Sequence, residues 1–335
     1  MRFADRTTER LPQAHETPEA LLRRLEWTAL RRLDGRLQGN FNTLMRGAGL
    51  DLADLREYVP GDDVRHIDWN VTARTGAPHV RVFTEDRDMT AWLLLDLSAS
   101  MGAGTLGRTK HLALREFAAL IARILTRHGN RVGGIVGAGQ EPRWLPARTG
   151  RSQVLRLLEE SARLQAGPEP SDRRRSAVGS PLEHWLQSTA RILKRRATVL
   201  VISDFLVEGN WERPLGLLAQ HHDVVAVRLV DPSERELPDL GLVTMQDAET
   251  GEQLWVDTHD RRFRQRFADA AAARETVLRS RLAAAGVDTL ELCTTDDLVE
   301  ATTRFSRMRQ GRGHHGGGEG FLQRRLAEPA VPEAA

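Results

Sequence analysis

Asp96-Leu97-Ser98-Ala99-Ser100 and Ser203-Asp204-Phe205 are the residues of this chain best suited to chemistry. Each follows an apolar run with buried-strand character, 91–95 in the first case and 197–202 in the second. Open α/β sheets place their sites at the carboxyl ends of parallel strands. Two such strands lying side by side would bring carboxylate and hydroxyl oxygens to one rim, and those oxygens suit a hard divalent cation. Mg²⁺ wants about six oxygens in octahedral geometry and gives up its waters reluctantly; Mn²⁺ and Ca²⁺ accept the same class of ligand. In a D-x-S-x-S loop the Asp96 carboxylate and the Ser98 and Ser100 hydroxyls can point at one centre while the backbone wraps it. The hydroxyls bring no charge, so the ion stays electron-poor and open to an incoming carboxylate. Asp204 can add an acceptor, directly or through water, because adjacent strands lie about 5 Å apart. Ser180, ahead of a helix that begins near Pro181, is the best-placed third hydroxyl. Ser and Asp are also ordinary turn and capping residues; the agreement of two separate loops is what favours a cation.

A second concentration of polar chemistry lies upstream, between Arg56 and Arg74. Asp62, Asp63, His66 and Asp68 cluster there with Arg65 and Arg74, and carboxylates beside a histidine could do acid–base work or bind a second metal. The structural alternative has Asp62 capping, Trp69 buried and the arginines tied to carboxylates, so that ion pairs lock an irregular loop onto the domain. That alternative is favoured. The chain contains no nucleophile elbow, Walker loop, H-E-x-x-H or dinucleotide fingerprint.

The elements that must position these residues can be read from periodicity. Residues 18–38 read as a helix, with Leu21, Leu22, Leu25, Ala29, Leu30 and Leu33 at helical spacing and Thr17 as its cap. A glycine-rich stretch around Gly39, Gly47 and Gly49 follows, and 79–84 alternates like an edge strand. From residue 91 strands and helices alternate: strand 91–95, helix 108–128, strand 131–136, a short hairpin partner at 143–145, and helices 153–164 and 182–195. A polar linker, 166–179, separates those two helices. Strand 197–202, helix 211–221, strand 224–230, an inserted hairpin over 242–245 and 253–256, helix 261–284, strand 289–292 and helix 297–308 complete the series. Such alternation predicts a mostly parallel sheet covered on both faces. Residues 1–88 are read as an N-terminal helix and polar segment packing on the main domain, 89–309 as that domain, and 310–335 as a disordered tail too poor in apolar residues to build a core.

Composition narrows the function classes. The 335 residues are 40% hydrophobic and 28% charged, enough for a substantial core. A single cysteine, Cys293, rules out a disulfide framework or a cysteine metal site. No run of about 18 apolar residues occurs and the first residues lack the apolar stretch of a signal peptide, so a cytoplasmic location is expected. The formal charge of +2 gives no global field for nucleic acid or anionic lipid. Only Lys110 and Lys194 are lysines among the 48 Lys and Arg residues, which leaves 46 arginines. Arginine runs at 173–175 and 194–196 could serve a nucleic-acid adaptor, but they lack interleaved aromatics to stack on bases.

Asp96-Leu97-Ser98-Ala99-Ser100-Met101, Gly179-Ser180 and Ser203-Asp204 resemble the metal-ion-dependent adhesion site of von Willebrand factor A domains, and the element order over 89–308 is similar to that fold. The block Arg56-Glu57-Tyr58-Val59-Pro60-Gly61-Asp62-Asp63-Val64-Arg65-His66-Ile67-Asp68-Trp69-Asn70, running on to Arg74-Thr75, resembles the signature of the bacterial domain-of-unknown-function family 58, which carries such a domain. The resemblance implies one antiparallel edge strand and a divalent ion on Asp96, Ser98, Ser100, Ser180 and Asp204; a non-enzymatic binding module is the leading expectation. Its Ser180-Pro181 stands where the family more often has threonine followed by an acidic residue. Family members are commonly encoded beside AAA+ ATPases of the MoxR type, which implies such an ATPase or its client as partner, presenting an acidic residue to the ion. A metal-dependent hydrolase using the signature carboxylates and an arginine-rich nucleic-acid adaptor are the rival expectations.

Overall fold

A computed structural model describes residues 2–4, 16–33, 51–60, 62–84, 89–102, 104, 108–166, 181–246 and 252–312. The chain opens with strand β1 (Arg2–Ala4) and helix α1 (Pro18–Leu25), whose Thr17 cap accepts a hydrogen bond from the Ala20 amide at 3.2 Å. A π-helical turn over Glu26–Leu30 carries the helix on, and it is helical as far as residue 33. Strand β2 (Asp51–Glu57), a 3₁₀ turn (Val64–His66), helix α2 (Trp69–Thr75) and strand β3 (His79–Thr84) follow. Strands β2 and β3 pair antiparallel in a ribbon of their own, so 79–84 is an edge strand of that ribbon and not of the main sheet.

The main domain runs β4 (Thr90–Asp96), α3 (Lys110–Arg127), β5 (Arg131–Gly137), β6 (Arg143–Arg148), α4 (Arg151–Ala166), α5 (Pro181–Ile192), β7 (Thr198–Ser203), α6 (Glu212–His221) and β8 (Asp223–Val230). It continues through β9 (Leu242–Gln246), β10 (Gln253–Asp257), α7 (Arg261–Ala284), β11 (Asp288–Cys293) and α8 (Leu298–Arg312). The principal sheet has the order β11-β8-β7-β4-β5-β6 and is parallel throughout except for the antiparallel β5–β6 pair at one edge. This is the expected α/β sheet with one antiparallel edge strand. The expected hairpin is β9–β10, and β1 adds to it as a third strand.

Successive strand residues face opposite sides of a sheet, and that alternation sorts the core into two layers. Leu93 and Leu95 point to the layer formed by α1, α3, α4 and α8, whereas Leu94, Val199 and Val201 point to α5, α6 and α7. Leu21, Leu22, Leu25, Ala29, Leu30 and Leu33 are all buried in the first layer. Helix α1 is therefore part of the same core as the sheet. Truncating any of these leucines to alanine should cost about 2–5 kcal/mol. Helix α8 runs to Arg312, two residues past the expected start of the tail, and 313–335 lie outside the described residues, as do the glycines near 39–49 and most of the 166–179 linker. Among the described residues no helix is long and apolar enough to cross a membrane.

Strand order reverses at the centre of the sheet: from β4 the chain moves outward through β5 and β6, then returns to the other side of β4 with β7. That reversal makes the carboxyl ends of β4 and β7 the topological switch point, where adjacent crossovers diverge and leave a crevice.

Candidate functional site

The last residue of β4 is Asp96 and the last of β7 is Ser203, with Asp204 next in the chain. All three are buried, and Asp96 is 1% exposed. Leu95 pairs with Ile202 across the two parallel strands, which sets the two loops beside each other. The Ser203 hydroxyl donates to Asp96 Oδ2 at 2.6 Å and accepts from the Phe205 amide at 3.0 Å, tying one loop to the other. Asp96 Oδ1 accepts from the Ser98 amide at 2.9 Å, which curls the first loop back over its own carboxylate. Ser98 Oγ and Ser100 Oγ are 3.1 Å apart, and the Ser100 hydroxyl also bonds Asp204. Both serines are half-buried, so this side of the cluster reaches toward solvent.

Backbone geometry at the second loop is unusual. Phe205 has φ 56°, the one non-glycine residue among those described with a positive φ. A bulky residue in that region is strained. The strain is held by burial of the Phe205 ring against Trp211, centroids 5.1 Å apart, and by the Leu206 amide donating to Asp204 Oδ1 at 3.0 Å. On the other side of β4, Gly137 is paired with Asp96, and a Cβ there would come within 2.4 Å of the Trp185 indole. Glycine lets that indole close against the strand end, where its Nε1 donates to the Gly139 and Gln140 carbonyls at 3.0 Å each.

The electrostatics turn on a residue outside both loops. Lys110, fully buried at the start of α3, donates from Nζ to Asp204 Oδ2 at 2.6 Å and to Glu234 Oε1 at 2.5 Å. Glu234 belongs to a 3₁₀ turn (Pro232–Glu234) directly after β8, closed by a capping box with Asp231. Burial would raise the Asp204 carboxyl, but the Lys110 charge and hydrogen bond outweigh it and hold the group below its ordinary value. Among the described residues no cation does the same for Asp96. Burial, and secondly the charge of Asp204, push its carboxyl up to about 6. Lys110 is shared by Asp204 and Glu234, and with Asp96 beside Asp204 these four groups carry a formal charge of −2. One divalent cation would bring it to zero.

Among the described residues no three His, Cys, Asp or Glu side chains stand together as an ion site, so hydroxyl oxygens must complete any ligand set here. The donors present fit a hard cation on that basis: Asp96, Ser98 and Ser100 as direct oxygens, with Asp204 held back by Lys110 and better suited to act through water. Ser180 lies outside the described residues. Sequence reasoning missed Lys110 and Glu234 as members of the cluster; the scarcity of lysine in the chain is the one signal that points to the first.

The signature segment is built differently. Arg56 grips Asp62 with two hydrogen bonds, 2.9 and 2.7 Å, and Asp62 also accepts from the Val59 amide at 2.9 Å. The Arg56 hydrogen bond, then the Val59 amide, lower the Asp62 carboxyl. Asp63 caps the 3₁₀ turn through the Arg65 amide, and Asp68 caps α2 by accepting from the Asn70 and Val71 amides at 3.0 and 3.1 Å. These carboxylates serve the backbone of their own segment. Arg65 reaches Asp63 only at 3.6 Å, Arg74 is exposed in the last turn of α2, and no residue of α2 is buried. Trp69 corrects the expectation of a buried anchor: at the first position of α2 its ring points outward and the residue is 69% exposed. The Lys194-Arg195-Arg196 run is exposed just before β7, at the opposite end of the strand from Asp204, and 173–175 lie outside the described residues.

The family described as "Protein of unknown function DUF58" matches residues 54–277, a span that contains the whole signature segment from Arg56 to Thr75 and both loops. The chain belongs to the DUF58 family. This DUF58 chain is 38% identical over 291 residues to uncharacterized protein Rv1480 of Mycobacterium tuberculosis, covering 87% of this chain and 89% of that one. The match to uncharacterized protein Mb1516 of Mycobacterium bovis has the same values. Among solved structures it is similar to BatB from Bacteroides thetaiotaomicron, with TM-score 0.40 and 15% identity over 67% of this chain and 99% of that one. It is also similar to a von Willebrand factor type A protein from Catenulispora acidiphila, with TM-score 0.31 and 11% identity over 69% of this chain and 43% of that one.

Proposed function

We propose that this DUF58 protein is a non-enzymatic, metal-dependent protein-interaction module. Asp96, Ser98 and Ser100 would hold Mg²⁺, or Mn²⁺ or Ca²⁺ in its place, with Ser180 and Asp204 as the remaining donors. The bound ion supplies a positive centre with room for an outside oxygen. The chain's own residues do the rest: Ser203 orients Asp96, the Ser98 amide holds the loop closed, and Lys110 keeps Asp204 ionised. A partner carboxylate is the natural visitor, and the family resemblance makes a MoxR-type AAA+ ATPase, or the protein it acts on, the first partner to test. The observation that carries this reading is the −2 cluster at the switch point of the sheet, lined by half-buried hydroxyls. The hydrolase alternative loses its base, because the signature carboxylates are taken up in caps and an ion pair within their own segment.

The test uses the purified chain and a purified MoxR-type ATPase in a binding assay with Mg²⁺ and then with chelator. Asp96→Ala should abolish both Mg²⁺-dependent thermal stabilisation and capture while the far-UV spectrum stays native. Capture that persists undiminished in chelator would overturn the metal-dependent reading.

A further inference from the structure

We infer that Lys110 is a positioning residue of this centre, an internal cation whose charge sets how strongly the site draws a divalent ion. The inference rests on the metal-centre reading above and adds the residue that tunes it.

Four observations converge on Lys110. It is the first residue of α3, an 18-residue helix, where the exposed amides make the helix end electropositive. A cation there works against the helix dipole, so helix stability does not explain it. The side chain is fully buried and is committed to two carboxylates on different loops, Asp204 after β7 and Glu234 after β8. It is one of two lysines in a chain with 46 arginines. An ammonium is a compact point charge, whereas a guanidinium is a broad planar fork, and a gap spanned by contacts of 2.6 and 2.5 Å suits the former. Finally, the ammonium touches Asp204 and Glu234 and not Asp96, so its charge sits on one side of the cluster.

The consequence is electrostatic competition. Any cation that enters beside Asp96 and Asp204 meets the Lys110 ammonium at close range and is repelled by it, while Glu234 offsets part of that repulsion. Lys110 thereby gives the site its shape before an ion arrives and keeps affinity for the ion in check. Removing the positive charge and removing the negative charge on its far side should therefore act in opposite directions.

The experiment compares wild type, Lys110→Met and Glu234→Gln by calorimetric titration with Mg²⁺ and with Mn²⁺, and by melting temperature with and without the ion. The Glu234→Gln oxygen can stay on Lys110 Nζ, giving up only the long 3.4 Å bond from the Asp231 amide, so the second change removes a charge at the loss of one weak hydrogen bond. Lys110→Met should bind the ion roughly tenfold tighter or more, and Glu234→Gln roughly tenfold weaker, as unit charges near a site require at the effective dielectric of a protein. Ion-induced stabilisation should rise in the first and fall in the second. A purely structural Lys110 would loosen the site in both variants. Wild-type binding with both variants weakened or unchanged overturns this inference and leaves the metal-centre reading intact. Absence of binding in wild type and in Lys110→Met overturns both. Binding in Lys110→Met alone supports the inference most directly. Should Lys110→Met fail to fold, Lys110→Gln, which keeps a donor for the two carboxylates but removes the charge, takes its place: tighter binding supports the inference and weaker or unchanged binding overturns it.

Discussion

The two ends of the central sheet each bury a cation between two carboxylates, and they do so to different effect. At the amino-terminal ends of β8 and β11, Arg309 of α8 donates to Asp288 at 2.7 Å and to Asp223, with Thr198 also donating to Asp223 at 3.3 Å. At the carboxyl-terminal ends of β4 and β7, Lys110 meets Asp204 and Glu234, but a further carboxylate, Asp96, stands in the same cluster with its charge unmet. The lower cluster uses a forked donor matched to its acceptors, a geometry that locks α8 onto the sheet. The upper one uses a point charge, keeps surplus anionic charge, has a strained Phe205 in its backbone and turns half-buried hydroxyls outward. The lower cluster thus reads as a fastener, whereas the upper one, left two charges short at a switch point, is what the proposed function takes for a site.

Breaking the fastener should have the largest effect. Arg309→Leu takes the guanidinium away from Asp223 and Asp288, and removing one partner of a buried ion pair costs about 3–5 kcal/mol. Urea unfolding should show that loss with or without Mg²⁺. Lys110→Met should cost a comparable amount in chelator but recover part of it in Mg²⁺. Equal rescue of both variants by the ion would erase the distinction between the two ends.

The next effect is in pH. With its folded value raised to about 6 from an ordinary value near 3.8, Asp96 holds its proton more tightly in the native state than in the unfolded chain. Its contribution is fully present below the unfolded value and is lost as pH rises through about 6, where Lys110, shared with Asp204 and Glu234, cannot compensate it. The loss is ~3 kcal/mol by proton linkage. Metal-free wild type should therefore fall in stability from about pH 4 to about pH 7 relative to Asp96→Asn. Saturating Mg²⁺ should cancel the difference, because the ion takes the place of the proton and binds the ionised carboxylate. Parallel pH curves for the two proteins in chelator would contradict this.

Ser203→Ala is expected to be milder. The hydroxyl is worth about 1.5–3 kcal/mol as a hydrogen bond to a charged partner, and it lowers the Asp96 carboxyl. Its loss should move the onset of Mg²⁺-dependent stabilisation to higher pH, measurable in the same melts. An unchanged onset would show that Ser203 does not orient Asp96.

How much of this is legible in the sequence follows from which signals are local. The order of strands and helices is readable because β-branched runs, helical stripes and turn residues are short-range patterns, and β6 as an antiparallel edge strand follows from the glycine-rich turn before it. Asp96, Ser98, Ser100 and Asp204 are readable because they follow their strands directly. Lys110 and Glu234 are not, since their role depends on α3 and the turn after β8 converging on one rim, a long-range fact. The lower cluster escapes for the same reason: Asp223, Asp288 and Arg309 are separated by whole elements. Trp69 shows the opposite error. Aromatic residues are large and apolar, so burial is the natural expectation, but its place beside the Asp68 cap faces it away from the β2–β3 ribbon.

That exposed indole supplies the smallest predicted effect and tests whether the signature segment shares in either end of the sheet. Trp69→Ala removes a residue that is 69% exposed, on a helix with no buried residue. Surface substitutions of this kind stay within about 0.5 kcal/mol, so urea midpoints should be indistinguishable from wild type and Mg²⁺ titrations should overlay. The capping carboxylates would still hold α2, because Asp68 bonds the backbone of Asn70 and Val71 and not the indole. Asp68→Ala, by contrast, removes a cap worth about 0.5–2 kcal/mol. If Trp69→Ala proved as costly as Asp68→Ala in the isolated protein, the indole would have to be packed against something in solution, and the segment would belong with the fastening half of the molecule.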